Sequence, residues 1–355
     1  MGSVIFYISV FSISSLMLSA CKRKRGGFFF FFIAVALPVF VAALRDGIGT
    51  DYENYVFMYQ ANSKLSFGEW FRLSRSFGAT RFGVWLMARV AGIFNSKEVF
   101  LGFFSVLTLL PVAWRLSTDY DKATRATIYF IYLMTCYSSG LNICKQMAAI
   151  GILFFGLRYV QERKLWKFLL IVLCAASLHV SALIAVVIYF MYDADDSLFT
   201  MKKAFLLVGG TVMLLLLPQL LKFLGDRFED YLVYEGTISN LTFFADLFWC
   251  VLFCLLFQKY INFDKKNGIF IMMMMIGVLL DLSGFYSPYI KRIAQYFTFS
   301  QVLLIGQLPQ IFSCAENRRF ARVSILAYTV VMFIGQYYIL GFGDIIPYKF
   351  IGGIL

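Results

Sequence analysis

Long apolar blocks separated by short polar turns run through the whole chain. Most blocks are about 17 to 25 residues long, the length that an α-helix needs to cross the hydrocarbon core of a bilayer. Blocks 28–44 and 270–280 have no polar face, whereas a buried helix of a soluble protein would carry one. The pattern predicts an all-α polytopic membrane protein that forms a single integral membrane domain over residues 1–355.

The blocks that we predict to cross the membrane lie at about 3–20, 27–44, 98–114, 126–141, 143–160, 204–221, 242–258, 268–285, 293–312 and 322–340. Segment 81–94 is too short to cross and has Arg89 in its middle, so we expect it to lie amphipathically along the outer surface. Segment 167–192 lies between two basic turns, and its middle, around His179, is small and polar. A re-entrant pair of half-helices fits both facts, and a plain crossing helix is the alternative. We therefore expect about ten or eleven crossing helices.

Lysine and arginine collect in alternate turns, and short loops that carry them stay in the cytoplasm. These basic turns are 22–25, 115–125, 158–167, 259–266 and 318–322. With these turns inside, residues 45–97 form an extracytoplasmic loop with amphipathic helices, and residues 221–241 form a second one. The net charge of +12 follows from this bias and from attraction to anionic lipid, so no nucleic-acid partner is needed.

Composition also limits the chemistry. Hydrophobic residues make up 61% of the chain and charged residues 15%, and there are seven cysteines but a single histidine. The cysteines lack the spacing of metal ligands, which argues against a zinc site and against a disulfide framework. We expect no metal and no cofactor.

Four cations lie at the outer ends of predicted spans, against the charge bias. They are Arg45, Lys145, Lys291 and Arg292. A shared anionic ligand, such as the diphosphate of a lipid-linked substrate, would explain them, because fixed cations stabilise the charge that grows as the diphosphate leaves. The alternative is that each cation snorkels to lipid headgroups or pairs with a nearby carboxylate such as Asp46 or Asp281.

The run RDGIGTDYENY, which begins at Arg45, combines charge, glycine and tyrosine directly after a predicted span. Asp51 or Asp46 could act as a general base on a sugar hydroxyl, and His179 is another candidate. A lone histidine in an apolar helix is more often a hydrogen-bonded packing residue. Tyr52 and Tyr55 could stack on sugar faces or belong to an interfacial aromatic belt.

Four segments, in order, resemble the EpsG-type and Wzy-type polysaccharide polymerases. The run RDGIGTDYENYVFMY resembles their Arg-x-x-x-Gly-x-Asp-Tyr-x-x-Tyr segment, and NICKQMAAIG resembles their Arg-Gln-x-x-Ala helix. AASLHVSALI resembles their Ala-x-x-Phe-His-x-Ser-Ala segment, and Pro347 with Tyr348 resembles their Pro-Tyr close. Lys145 stands where the family has arginine, so a phosphate contact there would be a point-charge contact. Leu178 stands where the family has phenylalanine.

The resemblance implies a multi-pass glycosyltransferase of the bacterial inner membrane, similar in fold to GT-C-type enzymes, with its active site facing the periplasm or the outside. Such an enzyme joins undecaprenyl-diphosphate-linked oligosaccharide units into O-antigen or a related surface polysaccharide. Membrane lipid, a chain-length regulator and a flippase are the implied partners. The implied sugar-binding residues are Tyr52, Tyr55, Gln146 and Tyr348. The alternatives are a membrane O-acyltransferase that modifies surface polysaccharide and a lipid-linked oligosaccharide flippase.

Overall fold

The computed structural model describes residues 1–21, 27–77, 81–192, 209, 241–282, 288–351 and 353–354. The predicted basic turn 22–25, the predicted span 204–221 apart from Gly209, and the predicted loop 221–241 apart from Leu241 lie outside the described residues. The described chain is mostly helical, as expected of an all-α membrane protein.

The α-helices of the described residues are α1 Gly2–Ala20, α2 Gly27–Ala43, α3 Tyr52–Asn62, α4 Phe67–Phe77, α5 Phe82–Ile93, α6 Lys97–Asp119, α7 Lys122–Tyr132, α8 Ser138–Gly140, α9 Cys144–Gln161, α10 Leu165–Ala176, α11 Val186–Met191, α12 Leu241–Leu255, α13 Phe257–Phe263, α14 Asn267–Asp281, α15 Pro288–Thr298, α16 Gln301–Gln307 and α17 Ala315–Phe333. Near the C-terminus, β1 Lys349–Phe350 pairs with β2 Gly353–Ile354 in an antiparallel ladder.

Three helices are long and apolar enough to cross a membrane. They are α1, α6 and the helix that α17 forms with the π-helical turn Ile334–Ile339. Helices α12 and α13 would make a fourth span, bent by 69°. Shorter apolar helices of 10–17 residues include α2 and α14. These counts cover the described residues and rest on length and composition, so the predicted total of ten or eleven spans stays a prediction.

One predicted span is interrupted. The block 293–312 contains the end of α15 and all of α16, with a turn at Phe299 and Ser300. The hydroxyl of Ser300 donates to the carbonyl oxygens of Phe297, at 2.9 Å, and Phe270, at 3.0 Å. A serine hydroxyl competes with backbone amides for carbonyl oxygens, which favours a helix end here.

The segment around His179 is also interrupted, where the sequence predicts a bend. Helix α10 ends at Ala176, and a 3₁₀-helical turn begins at Val180 and leads into α11. The backbone amide of Gly83 in α5 donates to the carbonyl oxygen of Ser177 in the break, at 2.9 Å. Whether residues 167–192 cross the membrane or re-enter stays a prediction, as does the likeness to GT-C-type enzymes.

The chain divides into two compact units, and each is described by itself. The first unit contains Met1–Arg158, Trp166–Leu183 and Glu316–Leu355, and the second contains Tyr159–Leu165 and Ile184–Ala315. In the first unit, α1 packs against α2 and α7, and α2 packs against α6. The large aromatic side chains of this core include the buried Tyr7, Phe11, Tyr129 and Tyr137.

The two ends of the first unit differ in chemistry. At one end, Arg125 caps the C-terminus of α1 by donating to the carbonyl oxygens of Ser19 and Cys21, and Arg158 pairs with Asp119 at 3.1 Å. At the other end, where α1 begins, the hydroxyl of Ser3 accepts a hydrogen bond from the amide of Tyr348 at 3.0 Å. Arg125 of the basic turn 115–125 and the C-terminal segment at Tyr348 therefore lie at opposite ends of α1. Which end faces the cytoplasm stays a prediction.

Candidate functional site

The C-terminal segment, residues 341–351 and 353–354, packs on the segment that follows α2. The backbone amide of Asp46 donates to the carbonyl oxygen of Lys349 at 3.0 Å, and the amide of Thr50 donates to that of Gly343 at 3.3 Å. The buried hydroxyl of Tyr348 donates to the carbonyl oxygen of Val41, at the end of α2, at 3.0 Å. These bonds fix the RDGIGTD segment against the tail of the chain.

Two glycines permit this close approach. Gly49 has φ +96°, and a Cβ atom there would lie 2.6 Å from the carbonyl oxygen of Leu141. Gly343 has φ +70°, and a Cβ atom there would lie 3.4 Å from the Cβ of Asn142. Both positions require a left-handed backbone, which glycine adopts without steric cost. The RDGIGTD segment, the turn before α9 and the C-terminal segment therefore meet at one place.

Arg45, the first residue of the RDGIGTD segment, is buried close to the place where the three segments meet. Only 2% of its surface is exposed. Its Nη2 donates to the Sγ of Cys144 at 3.3 Å, and its guanidinium lies 5.9 Å from the ring centre of Tyr52. The Nε of Arg45 and the Oγ of Ser105 have no hydrogen-bond partner in the described part of the chain. Both residues line a small cavity with room for about one ordered water. The positive charge of Arg45 is therefore buried inside the protein.

Lys97, at the start of α6, brings a further cation to the same end of the unit. Its Nζ lies 3.6 Å from Oδ1 of Asp46 and 5.5 Å from the ring centre of Tyr52. Burial raises the pKa of Tyr52, so its hydroxyl stays protonated and donates to Oδ1 of Asp46 at 3.3 Å. Sequence reasoning missed Lys97, although it stands at the outer end of a predicted span, as Arg45 and Lys145 do.

Asp51 precedes α3 and is held through its backbone. The amide of Asp51 and the hydroxyl of Thr50 both donate to Oδ1 of Asn142, at 2.9 Å and 2.8 Å. The half-exposed carboxylate of Asp51 makes no bond to the start of α3, and no hydrogen bond or ion pair elsewhere in the described chain. Asn142 is the second residue that sequence reasoning missed.

Lys145 lies in the first turn of α9, next to α3. Its backbone amide donates to the hydroxyl of Tyr55 at 3.3 Å, and its ammonium lies 5.9 Å from the ring centre of Tyr55. The lysine side chain is half-buried. Lys145 therefore shares one end of the unit with Arg45, Lys97 and Asp51.

The residues predicted to bind sugar are buried in this structure. Tyr52 is 2% exposed, and Tyr55, Gln146 and Tyr348 are each 3% exposed. The hydroxyls of the three tyrosines bond within the protein, to Asp46, Lys145 and Val41 respectively. These side chains form part of the buried core around the candidate site. Their stacking on sugar stays a prediction.

The second unit holds the other predicted cations. The Nζ of Lys291 in α15 donates to the Oγ1 of Thr242 at 2.9 Å and lies 3.7 Å from Oδ1 of Asp281. Arg292 follows it and is half-buried. Ion pairing with Asp281, one of the two explanations for Lys291, is therefore observed. A joint diphosphate site of Arg45 and Lys145 with Lys291 and Arg292 stays a prediction.

The described helices and the polar, cation-bearing end of the first unit define a helical membrane protein with a candidate site at a helix end. A model of the EpsG family matches residues 28–350, and the chain belongs to this family. No curated protein and no solved structure matches the chain. The family resemblance is confirmed, and it supports a membrane protein of polysaccharide biosynthesis with a polymerase-type, glycosyltransferase-like role.

Proposed function

We propose that this protein joins undecaprenyl-diphosphate-linked oligosaccharide units into O-antigen or a related surface polysaccharide on the extracytoplasmic side of the inner membrane. The growing chain is the donor, and a hydroxyl of the next lipid-linked unit is the acceptor. The bond from the donor sugar to the diphosphate breaks, a bond to the acceptor oxygen forms, and the proton of the acceptor passes to a base. The lipid diphosphate leaves as a stable anion, so a general acid is dispensable.

The observation that carries the proposal is the meeting of three segments that resemble the polymerases. Arg45 to Asp51, the turn at Asn142 and the tail at Tyr348 are far apart in sequence, yet hydrogen bonds join them to one another or to α2. The fold thus supports one site at one end of the first unit. The same end carries several cations and a carboxylate, that of Asp51, which has no hydrogen bond or ion pair within the described residues, and glycosyl transfer from a diphosphate uses both kinds of group.

We assign the roles by exposure and pairing. Asp51 is the base, because its carboxylate is half-exposed and has no partner among the described residues. Lys97 and Lys145 contact the diphosphate, because their side chains reach the same end from two helices. Arg45 makes the electrostatic potential of the site more positive from a buried position, because its guanidinium is packed against Cys144.

The decisive experiment uses the purified protein in lipid nanodiscs with one defined lipid-linked repeat unit. We expect a ladder of products that differ by one unit, and unchanged substrate would contradict the proposal. Gene deletion separates the alternatives in cells. Loss of a polymerase leaves one repeat unit on the surface lipid, loss of a flippase leaves none, and loss of an acyltransferase keeps the chain length.

A further inference from the structure

Asn142 holds two neighbouring residues of the RDGIGTD segment with one atom. Its Oδ1 accepts the hydroxyl of Thr50 at 2.8 Å and the backbone amide of Asp51 at 2.9 Å. The orientation of its side-chain amide follows from chemistry, because a backbone N–H can only donate and must face the oxygen. Asn142 is 8% exposed, and both hydrogen bonds are partly buried.

The backbone of Asn142 is itself fixed. Its amide donates to the carbonyl oxygen of Ser139 at 3.0 Å, within the turn that joins α8 and α9. Gly343 of the C-terminal segment packs on its other side, where a Cβ atom would lie 3.5 Å from Nδ2 of Asn142. The turn between α8 and α9 and the C-terminal segment therefore position this amide, and the amide in turn positions Asp51.

This arrangement leaves the carboxylate of Asp51 available. An aspartate that precedes a helix usually turns its side chain back to accept an amide of the first turn. Asp51 makes no such bond to α3. Asn142 holds Asp51 through its backbone amide and does not use its carboxylate, so the carboxylate keeps its capacity to accept a proton.

We propose that Asn142 is a positioning residue for Asp51, which its side-chain oxygen holds where the acceptor hydroxyl of the lipid-linked sugar arrives. This inference rests on the proposed function. Asn142 acts on Asp51 through the backbone amide of that residue. This role needs no contact between Asn142 and the substrate. Asparagine suits the position, because an aspartate would accept the same two hydrogen bonds but would place a second negative charge beside the base.

The test compares variants of the full-length protein in nanodiscs, with the repeat-unit ladder as the readout and protein amount measured in each. Asn142→Ala removes both hydrogen bonds, and we expect kcat to fall about 10- to 100-fold with little change in KM, as for a misplaced catalytic group. Thr50→Val removes one bond and should cause a smaller loss. Asn54→Ala, an exposed position on α3, is the matched control and should leave both constants unchanged.

Asn142→Asp supplies a readout that a purely structural role would not move. It keeps the acceptor, so the protein should fold, while the acidic limb of the pH profile of kcat should move to higher pH. The charged groups on the segments around Asp51 are Arg45, Asp46, Glu53, Lys97, Lys145, Asp344 and Lys349. All of them stay unchanged in this comparison.

The outcomes separate the two proposals. A wild-type ladder with unaltered kcat in Asn142→Ala would overturn the role of Asn142 alone. An unshifted pH profile in Asn142→Asp, beside a loss in Asn142→Ala, would reduce Asn142 to a structural residue and also overturn it. If the wild-type protein forms no ladder, the proposed function fails, and the inference about Asn142 fails with it.

Discussion

The ammonium of Lys97 lies 3.6 Å from Oδ1 of Asp46, and this pair ties the start of α6 to the segment that follows α2. The Asp46 side chain is 57% exposed and that of Lys97 is 35% exposed. An ion pair with this exposure contributes about 0 to 1 kcal/mol to stability. The main consequence of this pair is therefore the position of a cation at the candidate site. Its contribution to the stability of the fold is small.

We expect Lys97→Gln to abolish most chain extension while protein abundance stays normal. A lost cation at the diphosphate costs about 10²- to 10³-fold in rate if it resembles the loss of one oxyanion-hole donor. Lys97→Arg should retain much of the activity, because it keeps the charge. Product ladders and immunoblots measure both effects.

The matched control for this prediction is Lys64→Gln. Lys64 is an exposed cation after α3, in the same predicted outer loop, and within the described residues it forms no hydrogen bond or ion pair with the candidate site. A Lys97→Gln ladder as long as that of Lys64→Gln would remove Lys97 from the site.

The tail of the chain should be required for activity. A stop codon after Gly341 removes the carbonyl partners of Asp46 and Thr50 and the hydroxyl bond of Tyr348 to Val41. We expect the truncated protein to insert in the membrane and to lose chain extension, because the RDGIGTD segment loses its support. Lys349→Ala is the control, since it keeps the backbone carbonyl that Asp46 uses, and it should be active. Chain extension by the truncated protein would contradict this prediction.

The apolar blocks of the sequence predict the bounds of the helices in the first unit closely. Elsewhere they miss a helix break, and contacts between residues far apart in the sequence contribute to that break. The predicted spans 3–20 and 27–44 correspond to α1 Gly2–Ala20 and α2 Gly27–Ala43, because length and hydropathy are local properties. At the break, the hydroxyl of Ser300 bonds to a local acceptor, Phe297, and also to Phe270 in another helix. No local pattern contains the second of these contacts.

The same distinction holds for the candidate site. Arg45 and Asp51 stand out in the sequence because charge and glycine follow an apolar block. Their burial and exposure depend on partners such as Cys144 and Asn142, which are far away in sequence. Spacing predicts which residues share an end of the bundle, and packing decides which of them a ligand can reach.

The opposite end of the first unit should control stability. Arg125 is buried and donates to the carbonyl oxygens of Ser19 and Cys21, which no longer have helical partners at the end of α1. Hydrogen bonds of a charged group contribute about 1.5 to 3 kcal/mol. We expect Arg125→Ala to lower the thermal midpoint of the detergent-purified protein, whereas Lys122→Ala, an exposed change on the same helix, should not. Equal midpoints for the two variants would contradict the capping role.

Thiol labelling tests the orientation. A cysteine at Thr50 should react with an impermeant reagent added to sealed cells, whereas cysteines at Lys164 and Asn317 should not. The described positions are exposed in the structure, and a further outer position, Ser287, lies outside the described residues. Reaction at Lys164 or Asn317 in sealed cells would reverse the assigned orientation.

Native cysteines that react with the reagent must be removed before labelling, and one buried cysteine must be kept. The exposed Cys174 and Cys314 should be replaced by serine, because both could give a signal of their own. Cys144 should be retained, because it is buried and its Sγ accepts a hydrogen bond from Arg45.

The identity of the base is the sharpest chemical prediction. Asp51→Asn should remove chain extension, because a positioned general base contributes about 10²- to 10⁴-fold to the rate. The protein amount should stay normal, since the Asp51 carboxylate has no partner to lose among the described residues. Glu53→Gln is the matched control, because Glu53 is an exposed carboxylate in the first turn of α3, two residues after Asp51. His179→Gln should keep a substantial ladder, because His179 lies in the break after α10 and a lone histidine in an apolar segment is more often a packing residue. A normal ladder from Asp51→Asn, together with its loss in His179→Gln, would transfer the role of base to the histidine.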